Sequence, residues 1–334
     1  MNKLTYALLI LGSMAPAVFF GQDETVYFDI RTPKPRPEKS LYMTIGFLDS
    51  RQDTSRIGIL KVRNSGRWVG IALRTPVLPQ LTNVLNAYTD SSAGNGELLF
   101  QLKRFSFAEY ARVRYCYFSA VLYARNGDRY TRLFGVDTLI LLAAASVDNN
   151  LNHAGNGLLD NFIAEGILLP PTDPTTYSMD DIRHIDSLDK RKIPVYNATS
   201  YTEGLYSNYA AFMAQRPDLH GEVRTKKNGD ISSLDIHDPN WRHETKSHIF
   251  AVVYKGVPYI VTHFGYYPLQ KTDDDFYFTG DLSLFPTAGQ QVAADIAFGV
   301  IIGSAIAGDK ATYKVLIDYQ NGQFIHQKVL DMKY

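Results

Sequence analysis

Apolar and polar positions alternate with a period of two through much of this chain, and the places where the alternation fails mark helices and boundaries. Leu41–Leu48, Ile57–Val62 and Trp68–Leu73 read as strands, and Glu97–Phe105, Tyr115–Tyr123 and Tyr130–Thr138 as three more. Between Pro79 and Tyr88 the period changes. Leu81, Val84, Leu85 and Tyr88 fall at i, i+3, i+4 and i+7, the apolar face of an amphipathic helix. Arg125-Asn126-Gly127-Asp128 separates two of the strands, and Asn-Gly supplies the positive φ angles of a tight hairpin. Leu139–Leu169 predicts a partly helical stretch interrupted at Gly155 and Gly157.

Three prolines in Pro170-Pro171-Thr172-Asp173-Pro174 can continue neither a helix nor a central strand, so the main boundary is expected there. The mixed-charge stretch Asp180–Lys192 predicts an exposed helix or loop. Ser200-Tyr201-Thr202-Glu203 has the spacing of a capping box and predicts a helix running to Arg216, before Pro217. Beyond it, Asn228-Gly229, Lys255-Gly256 and Asn321-Gly322 each sit between strand-like runs as hairpin turns. The expected class is α+β, with two sheet-containing domains dominated by antiparallel hairpins: residues 41–170 and a β-rich 200–334 with two helices, joined by a linker over 171–199.

A small-residue Gly/Ala helix is expected near the C-terminus, over Val292–Gly308. Asp295, Gly299, Gly303 and Ala307 recur every four residues, giving one helical face almost no side-chain bulk, the kind of face that lets helices approach closely. Its apolar part, Ile296–Gly308, would extend about 20 Å at ~1.5 Å per residue, short of the ~30 Å hydrocarbon core of a bilayer. The face therefore reads as a helix-packing or partner contact, with peripheral membrane contact as its other use, and not as a transmembrane span.

Residues 1–21 have the layout of a secretory signal: Lys3, an apolar stretch from Leu4 to Leu11, then the small residues Ala15 and Ala17, with Gly21-Gln22 as a further cleavage point. No cysteine follows the apolar stretch, which excludes lipid attachment of the bacterial lipoprotein kind. Residues 22–40 carry Thr32-Pro33-Lys34-Pro35-Arg36-Pro37, whose alternating prolines predict an extended arm acting as a tether. The localisation that follows is periplasmic or outer-membrane-associated. Lys+Arg and Asp+Glu both total 34, and loss of residues 1–21 removes only Lys3 among them, so nothing electrostatic favours nucleic acid as a partner. The single cysteine, Cys116, lies in a strand-like run and reads as a buried thiol; a structural disulfide within the chain is excluded.

Motifs that carry chemistry are sparse. His237, His243 and His248 cluster in sequence, but His243 and His248 are five apart, about 140° around a helix, whereas the zinc-protease pattern needs a four-residue spacing. A metal-dependent hydrolase built on these three, with His263 aimed at them from a neighbouring strand, is the alternative to a non-enzymatic reading. Asp273-Asp274-Asp275 lacks the ligand order of a calcium loop, and Ser187-Leu188-Asp189-Lys190 matches Ser-x-x-Lys without its companion motifs. Tyr266, Tyr267, Phe276 and Tyr277 could line a ligand site, although aromatic residues are common throughout the strands. No cofactor is expected.

Gly46-Phe47-Leu48-Asp49-Ser50-Arg51 and Ser55-Arg56-Ile57-Gly58, followed by a helix ending near Tyr88, resemble the opening of YajG-like envelope lipoproteins over residues 41–105. Thr54–Gly58, Glu97-Leu98-Leu99, Glu203–Tyr206 and Ile317-Asp318-Tyr319-Gln320-Asn321-Gly322 are similar to segments of uncharacterised exported proteins of Gram-negative bacteria. These resemblances imply a compartment and no activity. The expectation is a non-enzymatic envelope protein that binds another envelope component or a second copy of itself.

Overall fold

Residues 25–62, 68–110, 113–142, 155–237, 249–262, 264–272, 274–281 and 311–332 are described by the computed structural model. The first half is built on one eight-stranded mixed sheet. Its strands are β1 (Thr25–Phe28), β2 (Tyr42–Asp49), β3 (Gly58–Lys61), β4 (Trp68–Leu73), β5 (Gly96–Tyr110), β6 (Val113–Asn126), β7 (Arg129–Leu142) and β8 (Thr176–Tyr177). The order β1-β4-β3-β5-β6-β7-β8 leaves β2 beside the first half of β5, while β3 meets the same strand farther along, at Gly58↔Phe107. The long β5–β6–β7 meander dominates, and its second hairpin closes at Gly127-Asp128 between the paired Asn126 and Arg129, with Gly127 at φ +63°.

One face of this sheet is covered by α1 (Val77–Tyr88) and α2 (Gly157–Gly166). Helix α1 buries Leu81, Val84, Leu85 and Tyr88, the face read from their spacing. The core beneath is rich in rings. Phe162 of α2 lies 4.6 Å from Phe134, 5.6 Å from Phe100 and 5.7 Å from Phe118, centroid to centroid. Cys116 is fully buried on the same face, and burial pushes its thiol pKa up, away from nucleophilic use.

The stretch read as a tether is docked: Thr25–Phe28 is a strand, Phe28 and Ile30 are in the core, and the amides of Arg36 and Glu38 donate to the last carbonyls of α1 at 2.8 Å. Extended backbone suits this, because prolines that cannot join a ladder still leave the flanking amides free to bond. The proline run at 170–174 leads back into the first half, since β8 pairs with β7. Residues 178–190 then form short helices over the sheet's second face, burying Ile182 and Ile185 against Leu99, Val121, Tyr123, Tyr130 and Tyr177. The true capping box is Ser178 with Asp181, at 3.1 Å for the Ser178 hydroxyl accepting from the Asp181 amide.

The second half contains a four-stranded sheet of β9 (Gly204–Tyr206), β12 (Ala251–Tyr254), β13 (Val257–Thr262) and β14 (Gly265–Pro268), and a hairpin of β10 (Gly221–Thr225) and β11 (Ile231–Ile236). A second four-stranded sheet joins β15 (Gln270–Thr272), β16 (Asp275–Asp281), β17 (Ala311–Ile317) and β18 (Phe324–Met332). All pairings in these sheets are antiparallel, and the two four-stranded sheets share a core that includes Tyr206, Phe212, Val253, Ile260, Phe276, Phe278, Val315 and Ile317. The helix expected after Ser200 is absent. The Glu203 carboxylate instead accepts from the amides of Lys255 (3.0 Å) and Gly256 (2.5 Å), bracing the β12–β13 turn, and Asn208 caps the short helix Tyr209–Met213 that does form. The Gly/Ala segment with Asp295, Gly299, Gly303 and Ala307, and the leader at 1–21, lie outside the described residues.

Candidate functional site

A β-bulge decides where the polar side chains of the large sheet go. On β5, Leu98, Phe100 and Leu102 face the core under α1 and α2, and so do Phe105 and Phe107. The parity changes because Leu102 pairs with Ala120 and Arg104 with Ser119, leaving Lys103 without a cross-strand partner. An extra residue of this kind bends the strand and re-aims its side chain. Two consecutive basic residues, which would diverge on a regular strand, thus both reach the second face.

There they meet the loop between β17 and β18. Arg104 pairs with Asp318 at 3.2 Å, and its guanidinium lies 4.4 Å from the Tyr117 ring centroid. The Tyr117 hydroxyl donates to Asp318 at 3.2 Å. Lys103 pairs with Asp186 at 2.6 Å and donates to the Tyr319 hydroxyl at 3.1 Å; that hydroxyl donates to Asp186 at 2.8 Å. Lys190 pairs with Asp275 at 2.5 Å, and the Lys103 and Lys190 ammoniums both lie 5.2 Å from the Tyr319 ring centroid. Asn321 donates to Asp137 on β7 at 2.7 Å. The loop conformation itself rests on Gly322, at φ +77° against the Tyr209 ring, and on the Asp318 amide donating to the Gln323 carbonyl at 2.7 Å.

The electrostatics of this junction are uneven. Asp186 stays below the ordinary carboxyl range: burial would raise it, but Lys103 and the Tyr319 hydroxyl outweigh burial. Burial first, then the neighbouring carboxylates Asp318 and Asp186 respectively, push the Tyr117 and Tyr319 phenols upward, so both stay protonated. Asp137 is the acid without a cation in ion-pair range among the described residues. One of its oxygens takes the Asn321 bond, and the other is buried with no hydrogen-bond partner.

Little of this was named by sequence motifs. His237 is exposed at the end of β11, its amide donating to the His220 carbonyl at 2.9 Å, while His243, His248 and His263 lie outside the described residues. Among the described residues no group of three or more His, Cys, Asp or Glu is gathered as a metal ligand set. Lys190 of the Ser-x-x-Lys match is committed to Asp275. Of the four aromatic candidates, Phe276 is buried in the core, Tyr267 packs against that core, and Tyr277 lies 4.1 Å under the Lys314 ammonium. The one available signal for the junction was Lys103-Arg104, two adjacent bases inside an otherwise alternating strand.

A second feature is the outer edge of β2. Among the described residues this eight-residue strand pairs only with β5. No charge or proline occurs from Leu41 to Leu48; the features of this strand that can blunt an edge are the irregularity at Met43, between the paired Tyr42 and Thr44, and the terminal Asp49. Leu41, Met43 and Leu168 are exposed at its start, where the Leu41 amide donates to the Ile167 carbonyl at 2.9 Å.

No family model matches the chain, and no curated protein matches it. Among solved structures, a DUF330 family protein from Xanthomonas campestris is similar over 49% of this chain and 99% of its own, at 11% identity and a TM-score of 0.29. An uncharacterised protein is similar over 43% of this chain and 94% of its own, at 10% identity and a TM-score of 0.25. Similarity this low fixes neither family nor activity. Among the described residues no helix is long and apolar enough to cross a membrane.

Proposed function

We propose that this chain is a non-catalytic, exported protein of the periplasm or outer-membrane surface that acts by binding, either to another envelope component or to a second copy of itself. The observation that carries this reading is the charge-free run of the β2 edge before Asp49, with its apolar fringe of Leu41, Met43 and Leu168. An edge of this kind offers a row of backbone donors and acceptors to an extended segment, and adjacent apolar side chains add contact area. The ionisable side chains at the junction support the same reading from the other direction, because Lys103, Arg104 and Lys190 are engaged in internal pairs.

The test places lysine on the fringe. Met43→Lys with Leu168→Lys changes two exposed positions, so folding stability should stay within about 0.5 kcal/mol of wild type. Capture from envelope fractions by the tagged chain, or self-association in equilibrium sedimentation, is expected to fall at least about tenfold, which corresponds to ~1.4 kcal/mol. Unchanged capture and unchanged association would overturn the assignment to this edge. The small-residue face Asp295, Gly299, Gly303 and Ala307 is the second contact of the proposal. Gly303→Leu in the same assay is expected to reduce the complex while leaving the monomer folded; an unchanged complex would remove that contact.

A further inference from the structure

Among the described residues, three of the four carboxyls Asp137, Asp186, Asp275 and Asp318 at the junction between the large sheet and the β17–β18 loop are paired with a cation. Asp186 has Lys103 at 2.6 Å, Asp318 has Arg104 at 3.2 Å and Asp275 has Lys190 at 2.5 Å. Asp137 accepts from the side-chain amide of Asn321 on one oxygen and lies beside the Tyr117 phenol, but among the described residues it has no cation in ion-pair range, and its other oxygen is buried without a hydrogen-bond partner. Asn321 belongs to the same turn as Asp318 and Gln323, whose side-chain oxygen is also buried without a donor. The groups acting on Asp137 are Lys103 and Arg104 from β5, the Tyr117 phenol from β6, and Asp318 from the loop. An unpaired carboxylate buried near a second carboxylate is costly, and a proton removes the cost.

We propose that Asp137 and Asp318 hold one proton between them and act as a pH-sensitive clasp, fastening the β17–β18 loop to the large sheet when the proton is present and loosening it when the proton leaves. The proton sits on Asp137, because Asp318 has a guanidinium and a phenol to stabilise its charge. It removes the charge from a carboxyl that has no cation of its own and leaves the Asn321 bond intact. Burial, then the charge of Asp318, pushes the Asp137 carboxyl up from 3.8 to about 6, which puts the change in a physiological range. The folded state therefore binds this proton more tightly than the unfolded chain does. Its stabilising effect is complete below about pH 4 and is lost as pH rises through about 6. This inference stands apart from the binding reading, since it involves neither β2 nor the Gly/Ala segment.

Asp137→Asn is the direct test. Asparagine has the same shape, can still accept from Asn321, and puts a permanent N–H donor where the proton would be. Between pH 7.5 and 5.5 the wild-type melting midpoint is expected to rise by about 2 °C more than that of Asp137→Asn. Hydrogen exchange of residues 311–332, corrected for the intrinsic effect of pH, should slow severalfold in wild type over the same interval and stay constant in the variant. If Asp137→Asn folds poorly, infrared spectra of the wild type decide the matter, since a protonated carboxylic acid band at pH 5.5 must disappear by pH 7.5. Equal pH responses in the two proteins, or no such band, would overturn the clasp.

Discussion

Alanine at Gly58 is expected to detach the β1–β4–β3 end of the large sheet from the rest. Gly58 is the residue through which β3 pairs with β5, opposite Phe107, and it sits at φ +132°. A β-carbon there would overlap the backbone nitrogen, carbon and oxygen of Phe107, atoms that cannot swing aside as a side chain can. The flanking bonds, Ile57 amide to Ile71 carbonyl and Phe107 amide to Ile57 carbonyl, are both 2.6 Å and would have to lengthen. Gly127→Ala is the control: its φ of +63° is also unfavourable, but its surroundings are empty. That change should cost about 1–2 kcal/mol, whereas Gly58→Ala should cost about 4 kcal/mol or more. Urea unfolding of both variants measures the difference, and equal midpoints would show that the close approach at Phe107 is wrong.

Phe162→Ala should cost about 3–5 kcal/mol through lost burial and the cavity it leaves. Its ring is nearly inaccessible and is the point where α2 grips Phe100 on β5, Phe118 on β6 and Phe134 on β7. Three edge or tilted ring contacts add roughly 0.5–1.5 kcal/mol each to simple burial. Phe162→Leu retains most of the volume and should cost well under half as much. Denaturant midpoints at unchanged slope would check this, and a Phe162→Ala value below that of the leucine variant would contradict the packing.

The parts of the fold that were legible in sequence are those whose cause is local. The face of α1 follows from the spacing of Leu81, Val84, Leu85 and Tyr88, and the β6–β7 hairpin from two alternating runs around Gly127. The errors share a different cause, namely partners remote in sequence. Ser200–Glu203 has capping spacing, yet the Glu203 carboxylate is taken by a turn more than fifty residues away, at Lys255 and Gly256. Ser178-Met179-Asp180-Asp181 is a working capping box that was hidden inside a charge-rich stretch read as solvated. The prolines after Thr32 do hold the chain extended, but no local rule could say that Arg36 and Glu38 would close the end of α1. For the junction, Glu97–Phe105 reads as an ordinary strand, and neither its bulge at Lys103 nor the pairing of Lys103 and Arg104 with Asp186 and Asp318 follows from a local rule.

The insertion at Lys103 has a further bearing on how such a chain can vary in length. Because Leu102 and Arg104 oppose the adjacent residues Ala120 and Ser119, deleting Lys103 would leave Leu102, Phe105 and Phe107 aimed at the same ring-lined interior. A single codon could thus be gained or lost in the middle of a buried strand without throwing its neighbours out of phase. What would vary is whether the ammonium reaching Asp186 and Tyr319 exists at all.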